Sequence, residues 1–295
     1  MCRLFPLNWF LSLTLVLVLT GCIGSPRGDS DDDDSASDDD DDDTSKWPSP
    51  TYDGTCPEFS SGLNTGFVSA GIERQFRVAL PEETTGAPVV FAWHWLGGNA
   101  EQIMNWLNFD QLAASEGVVV VAPDSDGYPF EWRSDQPDQG NADGQFFEDL
   151  LACLSERLEV DLGRVHTTGM SAGGLWSTWL IMNRSEWLAS AAPMSGGVLS
   201  NWYITPEDRL PVMLIWGGPT DTYNGFSFDQ ANLQFSEELA ADEHFVVECD
   251  HGGGHVPPSA PAELTWAFLS EHRKDAPSPW SDGLPGDLPD YCTIP

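Results

Sequence analysis

The stretch RVHTTGMSAGG, residues 164–174, decides how this chain is expected to fold. Its first five residues form a short β-rich run, and the residues that follow it, to about Asn183, favour a helix. Between them, the pattern Gly169-x-Ser171-x-Gly173 permits a sharp turn that crowds other side chains away from the serine. A helix N-terminus beside the turn adds positive potential. Because a serine hydroxyl attacks only when it is exposed and next to a base, this context predicts that Ser171 is a nucleophile.

The same alternation of short β-rich runs and helical stretches continues on both sides of that turn. It is typical of parallel βαβ units and predicts one doubly wound α/β domain over residues 52–295, with a mostly parallel sheet and helices on both faces. The predicted strands are residues 75–80, 88–94, 118–122, 164–168, 188–194, 210–216 and 245–249. The predicted helices are residues 99–116, 145–158, the one ending near 183, 229–241 and 260–273.

An acid is expected after the serine, at the end of a later strand, and a histidine is expected after the acid. Asp221 lies in a turn just beyond the strand that ends at Trp216, so its position fits the acid. Asp208 and Asp229 are nearby rivals, and a plain turn-forming role is the alternative for each.

The base is expected in the loop HGGGH, residues 251–255, which follows the last predicted central strand. His255 is favoured because the glycines precede it and residues 256–258, Val-Pro-Pro, fix the loop behind it. His251 remains an alternative. A zinc site made of Cys249, His251 and His255 is a rival interpretation, although no CxxC or HExxH pattern supports it.

Acyl transfer also needs hydrogen-bond donors for the developing oxyanion, and the loss of one typically lowers turnover about 100- to 1000-fold. The backbone N–H of Ala172, one residue after the predicted nucleophile, is the first candidate. The second is expected from the loop HWLGGN, residues 94–99, where Leu96 and Trp95 are both candidates.

Tryptophan is abundant, with 13 in the chain. Trp132, Trp202 and Trp216 fall on segments expected at the carboxyl edge of the sheet, where ligands bind in open α/β folds. We therefore expect them to bind substrate by stacking, with core packing as the alternative.

The N-terminal segment has the features of an export signal. Residues 1–21 contain an apolar run too short to span a bilayer comfortably, and Leu-Thr-Gly-Cys at 19–22 resembles a bacterial lipobox. Cleavage before Cys22 and lipid attachment to its sulfur are expected, with an ordinary signal peptide as the alternative. This predicts a protein anchored to a bacterial membrane, at the outer membrane or cell surface.

Residues 22–51 form an acidic, polar stretch that cannot bury enough apolar surface to fold, and it is predicted to be a disordered tether. It contains 11 aspartates between Asp29 and Asp43, for which calcium binding is a weaker alternative. The formal charge of −35, with only 12 Lys and Arg, argues against nucleic acid as a partner and favours neutral or apolar substrates. The sequence does not predict an oligomeric state.

Apart from Cys2 in the leader and the lipidation candidate Cys22, the cysteines are even in number: Cys56, Cys153, Cys249 and Cys292. In an exported chain they predict two disulfides, with buried free thiols as the alternative. Three pairings are possible, and a bridge from Cys56 to Cys292 would tie the two ends of the domain together.

Taken with these segments, the chain resembles the α/β-hydrolases that include polyhydroxybutyrate depolymerases, feruloyl esterases and acetylxylan esterases. The resemblance covers most of residues 56–273 and rests on the motifs FAWH (91–94), VAPD (121–124), DLGRV (161–165), GMSAGG (169–174), APMSG (192–196) and GGGH (252–255). It implies the α/β-hydrolase fold and a cofactor-independent esterase, possessing a Ser171, Asp221 and His255 triad, that acts on a polymeric or smaller ester.

The chain departs from this family at two places, both of which bring tryptophan near the predicted site. His94-Trp95 stands where the family usually has His-Gly, and Trp216-Gly217 stands where His-Gly often precedes the acid. The first change leaves open which amide completes the oxyanion site. A serine peptidase of the same fold and a non-catalytic surface binding protein are the alternatives to an esterase.

Overall fold

The computed structural model describes Trp47, residues 49–199 and residues 201–295. The strands are β1 (Gly62–Ser69), β2 (Ile72–Ala79), β3 (Val89–Trp93), β4 (Val119–Pro123), β5 (Val165–Met170), β6 (Ser190–Met194), β7 (Val212–Trp216), β8 (Thr222–Tyr223), β9 (Phe226–Ser227), β10 (Val246–Asp250) and β11 (Cys292–Thr293). The α-helices are α1 (Ala100–Trp106), α2 (Phe109–Glu116), α3 (Ala142–Leu158), α4 (Ala172–Asn183), α5 (Phe228–Ala241) and α6 (Pro261–Leu269).

Nine of these strands form one sheet in the order β1-β2-β4-β3-β5-β6-β7-β10-β11. The six strands from β4 to β10 in that order run parallel, whereas β1, β2 and β11 are antiparallel to their neighbours. The predicted mostly parallel sheet is therefore confirmed. Because parallel strands share one direction, the ends of β3, β5, β6, β7 and β10 meet at one edge, where the predicted site residues follow them.

Side chains alternate between the two faces of the sheet, and helices cover both faces. In β3, Phe91 and Trp93 belong to a core with residues of α3, α4 and α5, whereas Val90 and Ala92 belong to a second core with residues of α1, α2 and α6. All five residues of β3 are buried. Burial on both faces explains why the central strands are continuous apolar runs in the sequence.

The structure differs from the predicted elements mainly at one helix and at the sheet margins. Residues 99–116 form two helices, because Asn108 adopts a left-handed conformation with φ of 50°, which an α-helix cannot continue through. The edge strands β1 and β11 and the short β8–β9 hairpin were not predicted. Their residues are few or largely exposed, so they carry little of the apolar periodicity that marks central strands.

Two disulfides are present, which confirms the predicted number. Cys56 is joined to Cys153 on α3, and Cys249 on β10 is joined to Cys292 on β11. Of the three possible pairings, the structure therefore has one that does not include a bridge from Cys56 to Cys292. Each bridge fixes a peripheral segment to a central element instead of tying the ends of the domain together.

The predicted leader (1–21) and the candidate lipidation site Cys22 lie outside the described residues, as does the predicted tether (22–51) except for Trp47 and residues 49–51. Among the residues that the structure does describe, no helix is long and apolar enough to cross a membrane.

Candidate active site

Ser171 lies in the tight turn between β5 and α4. Its backbone has φ of 59° and ψ of −115°, a conformation that costs a non-glycine residue about 1–3 kcal/mol. Gly173 permits the turn because a Cβ there would lie 2.0 Å from the carbonyl oxygen of Trp93. The Ser171 amide donates a hydrogen bond to the Met194 carbonyl at 3.0 Å, which ties the turn to β6. The strand–turn–helix geometry thus follows from the glycine spacing.

Ser171, His255 and Asp221 form a continuous series of hydrogen bonds. The Ser171 Oγ is 2.9 Å from His255 Nε2, and His255 Nδ1 is 2.7 Å from Asp221 Oδ1. Because the Asp221 carboxylate can only accept a hydrogen bond, His255 Nδ1 carries the proton in the neutral ring and donates a hydrogen bond to Asp221. Nε2 is therefore unprotonated and can accept the serine proton. These three residues come from three different loops, and the structure brings them together as a nucleophile, a base and an acid require.

The carboxylate of Asp221 has no solvent exposure. Its second oxygen, Oδ2, accepts hydrogen bonds from Ser195 Oγ at 2.8 Å and from the Gly217 amide at 2.9 Å. The rivals lie elsewhere: Asp208 accepts from Lys274, and Asp229 accepts from the Trp216 indole.

The hydrogen bond from Ser195 to Asp221 was not predicted from the sequence, although Ser195 lies in the APMSG motif. Its signal is positional, since it directly follows β6, the strand between the serine strand and the acid strand.

His255 is held in place by the loop that follows β10. Its ring stacks on Phe228, with ring centres 4.5 Å apart and planes 17° apart. The Gly254 amide donates to the Gly217 carbonyl at 2.9 Å, which anchors the loop against the end of β7. His251 instead accepts the Gly253 amide through Nδ1, and no hydrogen bond between it and Ser171 is found among the described residues.

The zinc alternative for this loop is also excluded by the described geometry. The Cys249 sulfur is bonded to Cys292, so it is not available to a metal.

The amides expected to bind an oxyanion belong to Ala172, which follows the serine, and to residues of the cleft that contains it. Ala172 is the first residue of α4, and the first N–H groups of a helix have no acceptor within it. Within the described part of the chain, no protein acceptor is found for the N–H of Ala172, Trp95 or Leu96. Trp95 and Leu96 line the same cleft as Ser171 and His255.

That cleft has a volume of about 650 Å³, a size typical of small-molecule sites. Its walls are mainly apolar and aromatic, and the polar residues besides Ser171 and His255 are neutral. Trp95 and Trp106 form an edge-to-face pair across 4.9 Å on one wall, while Tyr223 of β8 and Val256 lie on the lining as well. Trp106 was not predicted, because a helical pattern does not tell which face of α1 borders the cleft.

The three tryptophans predicted to bind substrate have different positions. Trp132 is fully buried, donates its indole N–H to the His94 carbonyl at 2.9 Å and packs edge-on against Trp93. Trp216 is also buried and donates to Asp229. The structure therefore places both in the core and not on the cleft surface, because their indole N–H groups find internal acceptors.

Trp202 is 52% exposed and lies in a second groove of about 330 Å³. That groove also includes Leu175, one helical turn after Ser171, and Phe226, which pairs with Tyr223 in the β8–β9 hairpin. The hairpin thus contributes Tyr223 to the first cleft and Phe226 to the second groove.

A mostly parallel sheet with a serine at the turn after β5, an acid after β7 and a histidine after β10 defines the α/β-hydrolase fold and a site suited to acyl transfer. Comparison with known proteins agrees on the fold. The native crystal structure of sOPH superposes with a TM-score of 0.66 at 21% identity, covering 84% of this chain and 97% of that one. An acetyl xylan esterase from Aspergillus awamori gives a TM-score of 0.53 at 14% identity, covering 66% and 86% of the two chains.

The proteins that are similar in sequence are named as esterases or hydrolases. The chain is 30% identical to an oxidized polyvinyl alcohol hydrolase of a Pseudomonas species over 68% of its own length and 60% of the relative. It is 27% identical to feruloyl esterase D of Neurospora crassa over 50% of its length and 53% of that protein. The chain therefore spans about 60% or less of the length of these relatives. No protein-family model matches it.

Proposed function

We propose that this protein is a serine hydrolase of carboxylic esters that acts through an acyl-enzyme on Ser171. The observation that carries the proposal is the unbroken hydrogen-bond series from Ser171 through His255 to the buried Asp221. The names of the sequence relatives support the same chemistry.

The first half of the reaction transfers the acyl group to the enzyme. His255 Nε2 takes the proton from Ser171 as its Oγ bonds to the ester carbonyl carbon, and the carbonyl oxygen becomes an oxyanion. Ala172 N–H and an amide of the 94–99 loop stabilise that charge. The intermediate then collapses, the C–O bond to the alcohol breaks, and His255 returns the proton to the departing alkoxide oxygen.

The second half repeats these steps with water. His255 removes a proton from a water molecule as its oxygen attacks the acyl carbon. The Ser171 Oγ–acyl bond then breaks, the serine regains its proton from His255, and the carboxylic acid leaves. Asp221 keeps the imidazole in the required tautomer and stabilises its positive charge in both halves.

The cleft favours a neutral, apolar ester group. No Asp, Glu, Lys or Arg is among its described lining residues, so a charged substrate would find no partner there. We propose further that Trp202 and its groove bind a more distant part of a chain-like ester, because this groove begins one helical turn from the nucleophile. Exposed apolar side chains in it, Trp202 and Ile204 among them, suit stacking on an uncharged polymer.

Hydrolysis of a substrate panel tests these proposals. The panel consists of short p-nitrophenyl esters, methyl ferulate, acetylated xylan, polyhydroxybutyrate and oxidized polyvinyl alcohol, with Ser171→Ala as the control. We expect the wild type to hydrolyse the p-nitrophenyl esters and to be labelled at Ser171 by a fluorophosphonate, and the variant to do neither. Absence of labelling in the folded wild type would indicate a non-catalytic binding protein, and cleavage of peptides alone would indicate a peptidase.

The Trp202 groove is tested with the same panel. Trp202→Ala is expected to lower kcat/KM for the polymeric or long-chain members and to leave the short p-nitrophenyl esters unchanged. Equal effects on short and long substrates would contradict a distant binding role.

Export with a lipid on Cys22 remains part of the proposal. The apolar run, the Leu-Thr-Gly-Cys sequence and the two disulfides of the folded domain support it. Metabolic labelling with palmitate in a bacterial host should mark the membrane-bound wild type and not a Cys22→Ser variant. Labelling of that variant would refute the anchor.

A further inference from the structure

The loop that holds the oxyanion amides, residues 94–99, is fixed mainly by side chains from a second loop, residues 124–132. Glu131 supplies the contact with Gly97 in this loop. Its Oε1 accepts the Gly97 amide at 2.8 Å, and its Oε2 accepts the hydroxyl of Ser125. Both carboxylate oxygens are thus engaged, so the side chain is oriented from two sides.

Glu131 has no role in an ion pair among the described residues, and its backbone is in the left-handed region with φ of 64°. A non-glycine residue in that region is costly by comparison with an ordinary turn residue. Within the described residues, the hydrogen bonds of its side chain are those with the Gly97 amide and the Ser125 hydroxyl. The Glu131 carboxylate therefore acts as a hydrogen-bond acceptor for the 94–99 loop and for Ser125, and it does not neutralise a positive charge in an ion pair.

His94 holds the other end of the same loop. Its Nε2 accepts the Ser125 amide at 3.3 Å, so Nδ1 carries the proton and donates to the Trp95 carbonyl at 2.9 Å. Burial lowers the pKa of His94, which keeps the ring neutral and this tautomer in place. The Trp132 indole N–H donates to the His94 carbonyl at 2.9 Å, which fixes this carbonyl as well.

These contacts determine the direction of one amide. The Trp95 carbonyl oxygen accepts from both His94 Nδ1 and the Gly98 amide, the latter at 2.8 Å. In a planar trans peptide the N–H points opposite to the C=O, so the Leu96 N–H points away from these donors. No acceptor for this N–H is found in the part of the chain that the structure describes, and Leu96 borders the cleft that contains Ser171.

We propose that Glu131 is a positioning residue for the oxyanion site: its carboxylate holds the Gly97 amide and thereby keeps the preceding Leu96 N–H directed at the substrate oxygen. This inference rests on the proposed ester hydrolysis. Leu96 N–H would bind the oxyanion together with Ala172 N–H, and Glu131 acts on the reaction only through the loop.

The test uses three variants of the full chain with a p-nitrophenyl ester. Glu131→Ala removes the acceptor, and Glu131→Asp keeps the charge but is one methylene too short to reach Gly97. Both are expected to lower kcat about 10- to 100-fold with little change in KM, because a misplaced oxyanion donor weakens only the transition state. Glu131→Gln keeps an oxygen for Gly97 and an amide for Ser125 Oγ, so it should restore kcat to within about threefold.

A second readout separates positioning from a general loss of structure. A boronic acid that forms a tetrahedral adduct with Ser171 should bind more weakly to Glu131→Asp by about the same factor as kcat/KM falls. The matched control is Tyr128→Phe, which removes side-chain hydrogen bonds to Asp135 and Gln136 in the same surface loop. It is expected to retain wild-type kcat and boronate affinity.

Either of two results overturns this inference while ester hydrolysis stands. One is an active wild type whose Glu131→Asp variant keeps full kcat. The other is a Glu131→Gln variant as impaired as Glu131→Ala, which would show that charge matters and not the Gly97 contact. A wild type that hydrolyses no ester and takes no fluorophosphonate label would refute the proposed function, and this inference with it.

Discussion

The hydroxyl of Ser195 is expected to contribute both to stability and to catalysis, because its partner is the buried acid. Asp221 Oδ2 accepts from Ser195 Oγ and from the Gly217 amide, and neither the carboxylate nor Ser195 has appreciable exposure. A hydrogen bond to a charged group contributes about 1.5–3 kcal/mol, so Ser195→Ala should lower the free energy of unfolding by about that amount.

The same bond also bears on the reaction. When His255 becomes an imidazolium, Asp221 must be correctly oriented to stabilise it, and one of the two donors that fix Oδ2 is then missing. About 1.4 kcal/mol corresponds to tenfold in rate. If half of the lost hydrogen-bond energy is lost from the transition state, kcat falls about 4- to 13-fold. KM is expected to change little.

Ser190→Ala is the matched control for this experiment. Ser190 is a fully buried serine on β6, and its Oγ lies 2.9 Å from His166 Nδ1. Its hydroxyl therefore has a histidine as its partner and not Asp221. Its loss leaves a buried nitrogen without a partner and should cost about 1–3 kcal/mol.

Urea unfolding and steady-state hydrolysis of a p-nitrophenyl ester, measured on both variants, compare the two effects. Similar losses of stability with a lower kcat only in Ser195→Ala are expected. Equal kcat values in the two variants would refute a catalytic contribution of Ser195.

Three further outcomes are expected. Replacing Cys249 and Cys292 by alanine opens a loop of 43 residues and should lower the free energy of unfolding by about 4 kcal/mol in urea titrations; an unchanged midpoint would contradict this. Burial lowers the pKa of His166 to about 3, so its contribution to the free energy of unfolding is complete above pH 6.5 and should fall by about 1.4 kcal/mol per pH unit as the pH drops towards 3. His166→Gln should remove this part of the dependence of the unfolding free energy on pH. Parallel plots of unfolding free energy against pH for the variant and the wild type would exclude this contribution. Gly173→Ala places a methyl 2.0 Å from a β3 carbonyl oxygen and should abolish folding as followed by circular dichroism, whereas Gly286→Ala meets no atom within 4 Å and should fold normally; a folded, active Gly173→Ala protein would be inconsistent with the turn geometry.

The sheet was predictable because its central strands are buried on both faces. Val119–Pro123 and Val89–Trp93 are nearly continuous apolar runs, and such runs differ sharply from the turns around them. The residues brought together at the end of the sheet were predictable for a related reason: the order of Ser171, Asp221 and His255 along parallel strands fixes the edge at which they meet.

The environment of the tryptophans and the contacts of the oxyanion loop could not be predicted from the sequence. Position in the chain placed Trp132 near the end of the sheet, but whether its indole points to solvent depends on the His94 carbonyl, which offers it an acceptor in the core. The link between Glu131 and Gly97 joins residues 34 positions apart. No local pattern encodes that contact, since it arises only when two loops are packed against each other.

The short strand β11 has a consequence for how the protein behaves in solution. It pairs with Glu248 and Cys249 of β10, the last parallel strand, and so occupies backbone groups that would otherwise form an open edge. Open edges are templates on which strands of other molecules add, and proteins suppress this by covering them. The Cys249–Cys292 bridge fastens the cover in place, so in a reducing cytoplasm the protein is expected to self-associate through β10, whereas oxidised material stays dispersed.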